Sequence, residues 1–171
     1  KNKWSRPAEL EKMNPIKAVV LHWTGSPKQT QVGVYSWFEG RKNGKDSSGS
    51  AHFCVGIDGD VWQFIPDNEM AYHVGSPKPY TEWALKNLSS YPNNCTIGIE
   101  MCHLSWEGEF AFETWESTKK LVALLLMQYG LDVDTGLTTH KLIVGWKECP
   151  QWFHRFPEEL DRFKNETKEL M

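Results

Sequence analysis

The chain is 171 residues long, 40% hydrophobic, and carries a formal net charge of −3 with both signs mixed along its length. That size suits one globular domain able to bury a core without covalent staples, and the lack of a basic stripe argues against a nucleic-acid partner. No apolar run approaches the roughly 20 residues that span a bilayer, so no membrane partner is expected. The first residues, "KNKWSRPAELEKMNP", lack the apolar centre of a signal peptide. The chain opens on Lys1, which leaves room for a leader or a further domain removed beforehand.

In chain order, "IKAVVLH" is a short β-branched run that ends on His22 before the turn residues Gly25 and Pro27, which predicts a buried central strand. "QTQVGVYSWFEG" sets Val34, Trp37 and Phe38 at helical spacing and predicts a short helix stopping at Gly40. The stretch from Gly40 to Ser50, rich in Gly, Ser and charge, reads as a surface loop. "AHFCVGIDGDVWQFI" reads as two strands joined at Asp58-Gly59, a dipeptide that supplies the positive φ angles of a tight hairpin turn. "CTIGIEM" is a second buried central strand.

From Trp115 to Tyr129 a helix places Trp115, Thr118, Val122, Leu125, Leu126 and Tyr129 on one face, with Gly130 suited to a left-handed cap. Pro157 opens a last helix, Glu158 and Glu159 complement its positive end, and Leu160, Phe163 and Thr167 face the body. Strands alternating with helices, plus one hairpin, predict an α/β fold: a single domain with a mixed central β-sheet and helices on both faces. Ligands in such folds sit where strands end.

The four cysteines, Cys54, Cys95, Cys102 and Cys149, are expected to be reduced. Cys95 and Cys102 flank one strand at an odd offset and would point to opposite faces. Cys149 is then free for chemistry. In "THKLIVGWKECP", His140 precedes Cys149 by nine residues, with Gly145 allowing a bend and Pro150 following the thiol. Alone, the pair reads as an exposed histidine beside a buried thiol. With His22 at a strand end there are three N/S donors and no obvious fourth, the pattern of a catalytic zinc site with one open position.

In "TIGIEM", alternation puts Ile97, Ile99 and Met101 on one face and Gly98, Glu100 and Cys102 on the other, with Gly98 leaving room beside Glu100. Glu100 could be a sheet-edge carboxylate paired to a basic side chain, or a base beside a metal. Lys147 could be a solvated lysine beside Glu148. Of nine tryptophans, Trp23, next to His22, and Trp146, next to Lys147, are the candidates for a groove, while His103 and His154 read as structural or surface groups.

Five ordered blocks, "VVLHWTGS", "SAHFCVGIDGDVWQFI", "AYHVGS", "TIGIEMC" and "THKLIVGWKECP", resemble those of the type-2 N-acetylmuramoyl-L-alanine amidases, zinc peptidoglycan amidases found as phage endolysins and bacterial autolysins and related to peptidoglycan recognition proteins. The resemblance runs from about Val19 to Cys149. It implies a catalytic domain over 1–171, its motif-bearing core at about 16–156 and a C-terminal helix at about 157–170. It implies one Zn2+ per chain held by His22, His140 and Cys149, Glu100 as general base, and Lys147 stabilising the oxyanion. His52 and His73 fall on recurring histidines and, with Trp23 and Trp146, become expected substrate contacts. Some relatives carry a catalytic tyrosine where this chain has Ala51, and Glu100 fills that role. The implied partner is peptidoglycan, the implied place of action is the bacterial cell wall, and a monomer is expected. A non-catalytic peptidoglycan-recognition module is the alternative, one that the presence of Cys149 argues against. A closed structural zinc domain would need a fourth protein ligand.

Overall fold

The computed structural model describes residues 1–7, 13–44 and 47–171. Positions 45 and 46 of the expected surface loop lie outside the described residues. Five strands form one mixed sheet in the order β3-β2-β4-β1-β5. Its centre is a parallel pair, β1 (Ala18–Trp23) and β4 (Thr96–Met101), the two β-branched runs singled out in the sequence. Both are buried on both faces, which is why they read as continuous apolar runs and not as alternating ones. β5 (Leu137–Thr139) lies parallel to β1 on its outer side, and β2 (Phe53–Val55) parallel to β4. β3 (Val61–Gln63) closes the sheet antiparallel to β2, with all three residues exposed.

The hairpin between β2 and β3 forms where expected, but its connection is longer than a two-residue turn. Residues 56–60 bridge it, with the Gly56 N–H donating to the Asp60 carbonyl at 2.9 Å. Only Gly59 takes a positive φ, 84°. Asp58 instead uses its carboxylate to accept from the Asp60 N–H and from Gln31, so the aspartate acts through its side chain.

One face of the sheet is closed by α3 (Phe112–Tyr129) and α7 (Pro157–Lys168). Val19, Leu21, Phe53, Val55, Ile97, Ile99 and Met101 pack there against Trp115, Val122, Leu125, Leu126 and Phe163. Each fully buried aliphatic or aromatic side chain contributes about 1.5–3 kcal/mol, so this face is the main reservoir of stability. Gly130 ends α3 at φ 63°, left-handed, with its N–H on the Leu126 and Met127 carbonyls. Glu166 on α7 ties the two helices together, accepting from the Trp115 indole N–H at 2.8 Å, Lys119 at 3.2 Å and Arg162 at 2.8 Å.

The opposite face is covered by shorter pieces: α1 (Gln31–Arg41), α2 (Glu82–Asn87) and α5 (His140–Val144). Ala18 and Val20 meet Ala84, Ile143 and Val144, while Cys54 and Cys102 meet Val34 of α1. α1 departs from the apolar face expected of it. Val34 is buried, but Trp37 is 52% exposed. All four cysteines are free, and the two thiols that approach one another are Cys54 and Cys102, 3.9 Å apart. Two remaining short helices, α4 (Val133–Gly136) and α6 (Gln151–Arg155), flank the C-terminal part of the sheet. No helix among the described residues is long and apolar enough to cross a membrane.

Candidate metal and active site

The parallel register builds the site. Pairing puts His22 directly beside Glu100 and Leu21 beside Thr139, so the next residue after β5, His140, falls on the other side of His22. Three chemistry-bearing side chains therefore stand in a row across the carboxyl ends of β4, β1 and β5, where open α/β sheets carry their ligands. Thr139 caps α5 through its hydroxyl, and Gly145 ends that helix at φ 77°. The chain then folds back until the Lys141 N–H donates to the Cys149 carbonyl at 3.0 Å, a bond that sets Cys149 beside His140. A Lys141–Glu148 ion pair reinforces the loop, and the peptide bond joining Cys149 to Pro150 is cis.

One donor atom from each of His22, His140 and Cys149 falls within 4.8 Å of the others, and all three residues are buried. Nδ1 of His22 lies 3.7 Å from the Cys149 sulfur, and the His22 and His140 rings sit 4.7 Å apart. Both ring nitrogens of His140 and Oε2 of Glu100 are enclosed with no hydrogen-bond partner. Buried polar atoms are seldom left unpaired, because each costs a desolvation penalty of roughly 1–3 kcal/mol. A cation held among these atoms would supply the missing partner. Two imidazoles and a thiol, with no fourth protein ligand among the described residues, form a donor set that fits a metal ion with an open position.

Electrostatics follow from the same enclosure. Burial, with Lys147, holds His140 down to about 3, and burial with the neighbouring His140 and His73 holds His22 well below the ordinary imidazole value. Both are neutral and able to donate a lone pair. Burial, abetted by Glu100, pushes the Cys149 thiol up to about 12, so a proton must leave when the sulfur becomes a ligand. Burial also lifts the Glu100 carboxyl to about 7, against the pull of Lys147. A carboxyl poised near neutrality can accept a proton and return it.

These residues form the floor of a cavity of about 690 Å³. Trp37, Phe38, the 47–50 loop, Tyr72, Tyr91 and Asn93 also line it, with the Ser50 N–H donating to the Tyr72 carbonyl at 3.1 Å. Lys147 is exposed on the lip, and Trp23 lines the cavity with its indole 4.6 Å from the His103 ring.

Three residues sit differently from what the sequence suggests. His52 is fully buried and does not line the cavity: its Nε2 is 2.9 Å from the Glu69 carbonyl, and its Nδ1 accepts from the Gly98 N–H at 2.9 Å. With both nitrogens committed to the backbone it has nothing to offer a substrate. Trp146 also stands outside the cavity, its indole N–H donating to Ser76 at 2.9 Å, so it braces the rim. Gly98 makes room for His73 and not for Glu100, since a Cβ there would lie 2.6 Å from the His73 ring.

His73 does border the cavity, but it is only 8% exposed and bonds to His22, not to the opening. Trp37, Tyr91 and Asn93 were missed by sequence reasoning. Trp37 carried a signal, an indole beside Gly and Ser-rich loop sequence, whereas Asn93 carried none: its side-chain carbonyl receives the His73 and Val74 N–H groups.

A family model described as N-acetylmuramoyl-L-alanine amidase matches residues 12–152. A curated relative from Bacillus licheniformis, "Probable N-acetylmuramoyl-L-alanine amidase", is 29% identical over 171 residues, which cover 99% of this chain and 46% of that protein. The chain spans about half the length of the curated relatives it matches. Among solved structures, the catalytic domain of XlyA is 25% identical, with a TM-score of 0.64 over 95% of this chain and 91% of that one. The PlyG catalytic domain shares the fold at 19% identity, with a TM-score of 0.71 over 97% of this chain and 86% of that one.

Proposed function

The chain belongs to the N-acetylmuramoyl-L-alanine amidase family, and from that premise we propose that it hydrolyses the amide between the lactyl group of N-acetylmuramic acid and the L-alanine of the peptidoglycan stem peptide. The reading takes 1–171 as the catalytic domain, acting at the bacterial cell wall with one Zn2+ held by His22, His140 and Cys149. The observation that carries it is the set of three buried N/S donors beside the unpartnered Glu100 carboxylate on one cavity floor.

Bound there, zinc would supply Lewis acidity, polarising a carbonyl and lowering the pKa of water toward 7. The chain's own residues do the rest. Glu100, with Oε2 free, takes a proton from the attacking water and hands it to the departing amine. Lys147, on the lip, sets a positive charge near the oxygen that becomes anionic as the tetrahedral carbon forms. The walls formed by Trp37 and Tyr91 offer apolar faces to a sugar or peptide while restricting water. Cys149 seated against His22 favours hydrolysis over recognition alone.

Digestion of purified peptidoglycan with mass analysis of the products tests this directly. New L-alanine amino termini and intact glycan strands are expected, and Cys149→Ser should abolish both release and zinc content. Cleavage in the glycan or between stem residues would overturn the assignment.

A further inference from the structure

The amidase reading leaves one buried polar group against its metal site without a task, His73. Nδ1 of His73 lies 3.0 Å from Nε2 of His22. On its far side, Nε2 of His73 lies 3.1 Å from the Thr96 hydroxyl and 3.3 Å from the Thr96 carbonyl oxygen.

The protons in this chain can be placed by elimination. The Thr96 hydroxyl donates its one hydrogen to the Pro92 carbonyl at 2.8 Å, so toward His73 it can only accept. The Thr96 carbonyl can only accept as well. Both therefore call for a hydrogen on Nε2 of His73. A neutral imidazole carries a single N–H, which leaves Nδ1 of His73 a bare lone pair, and Nε2 of His22 must donate to it. His22 is then unprotonated at Nδ1, the nitrogen 3.7 Å from the Cys149 sulfur.

We propose that His73 is a positioning residue that fixes the metal-binding tautomer and ring orientation of His22, at the end of a directed chain of hydrogen bonds running from His22 through His73 and Thr96 to the Pro92 carbonyl. The inference rests on the proposed role of His22 as a metal ligand. A ligating histidine whose second nitrogen is anchored in this way binds more tightly, and loss of such an anchor typically costs 10–100-fold in metal affinity. His140 has no equivalent anchor among the described residues, since both its nitrogens are unpartnered. The preorganisation resides in His22.

Independent features hold His73 in place. Asn93 accepts from its backbone N–H at 3.1 Å. Gly98 provides the space for its ring, with a Cβ at that position falling 2.6 Å from both Cγ and Nδ1. Gly98→Ala should therefore disturb the anchor without altering any ligand.

The test measures zinc affinity by chelator competition for wild type, His73→Phe, His73→Asn and Gly98→Ala, together with long-range 1H–15N spectra of the metal-free protein to read the His22 tautomer. His73→Phe should weaken zinc binding about 10–100-fold and leave His22 a mixture of tautomers. His73→Asn, whose carbonyl oxygen can accept near the position of Nδ1, should recover most of the affinity, and Gly98→Ala should fall between. Folded His73→Phe protein with unchanged affinity would overturn the proposal, as would a wild-type His22 protonated on Nδ1. If His73→Phe does not fold, failure of His73→Asn to outperform Gly98→Ala has the same force. A wild-type chain that binds no zinc would instead bring down the metal reading itself, even with the tautomer found as described.

Discussion

On the α3 side of the sheet, Val19, Leu21, Ile97, Ile99 and Met101 pack into one apolar cluster, and two long helices close over them. On the other side the same strands carry His22 and Glu100, with His73 laid against Gly98, under short helices and loops. Alternation along a strand assigns every residue to one face or the other, so a slip of one residue in β1 or β4 would exchange core and site together. The comparison separates two tasks: one face supplies stability, while the other gathers the buried, unpartnered nitrogens of His140 and the Glu100 oxygen beside the candidate metal donors.

The separation can be broken from either side. The largest effect is expected from Glu100→Gln, which should lower the rate of peptidoglycan hydrolysis by about 10²–10⁴-fold with zinc still bound, as read by product release and metal content. Phe163→Ala, on the closed face, should cost about 3–5 kcal/mol of unfolding free energy while leaving the rate per folded molecule unchanged, a pair of numbers that denaturant titration and an active-site count provide.

Acid and base should act oppositely on the two faces. Glu166 is held down to about 2, first by the Trp115 indole N–H and then by Arg162 and Lys119, from an ordinary 4.5. Its ionised form stabilises the fold, so its contribution is complete above about pH 4.5 and lost as pH falls toward 2. Glu166→Gln should flatten that acid limb by roughly 1–2 kcal/mol after solvent screening. Glu100 is raised from an ordinary 4.5 to about 7, chiefly by burial. In the metal-free protein it should weaken the fold as pH rises from about 4.5 through 7, and Glu100→Gln should gain stability relative to wild type over that range in thermal melts. The smallest effect belongs to Gly130→Ala: the site is open, so only the left-handed backbone is strained, at about 1 kcal/mol.

The closed face was largely legible in the sequence, because its signals are long and periodic. Six positions of α3 at helical spacing, Gly130 as a left-handed cap and Pro157 at the start of α7 are statements about local chain chemistry that tertiary context did not overrule. His22 and Glu100 could be placed at the ends of strands read from the sequence, whereas His140 was marked out by its nine-residue spacing to Cys149, because the strand before it, β5, could not be read. The remainder depended on contacts between distant segments. His52 and His73 occupy similar sequence settings, yet one is consumed by the backbone of Glu69 and Gly98 and the other by His22. Trp37 had the spacing of a core residue but faces the cavity, because the shallow α1 buries only Gln31 and Val34. α2, α4, α5, α6 and β5 are each six residues or fewer, too short for a period to declare itself.

The side-by-side pairing of His22 with Glu100 has a consequence for how this protein can change over evolutionary time. The spacing between them is held by main-chain hydrogen bonds of the parallel β1–β4 ladder, which any non-proline sequence can make. Interior residues on the far side can thus be exchanged for others of similar volume while the distances between the reacting groups persist. The site inherits its dimensions from the ladder, and the lineage is free to rewrite the core beneath it.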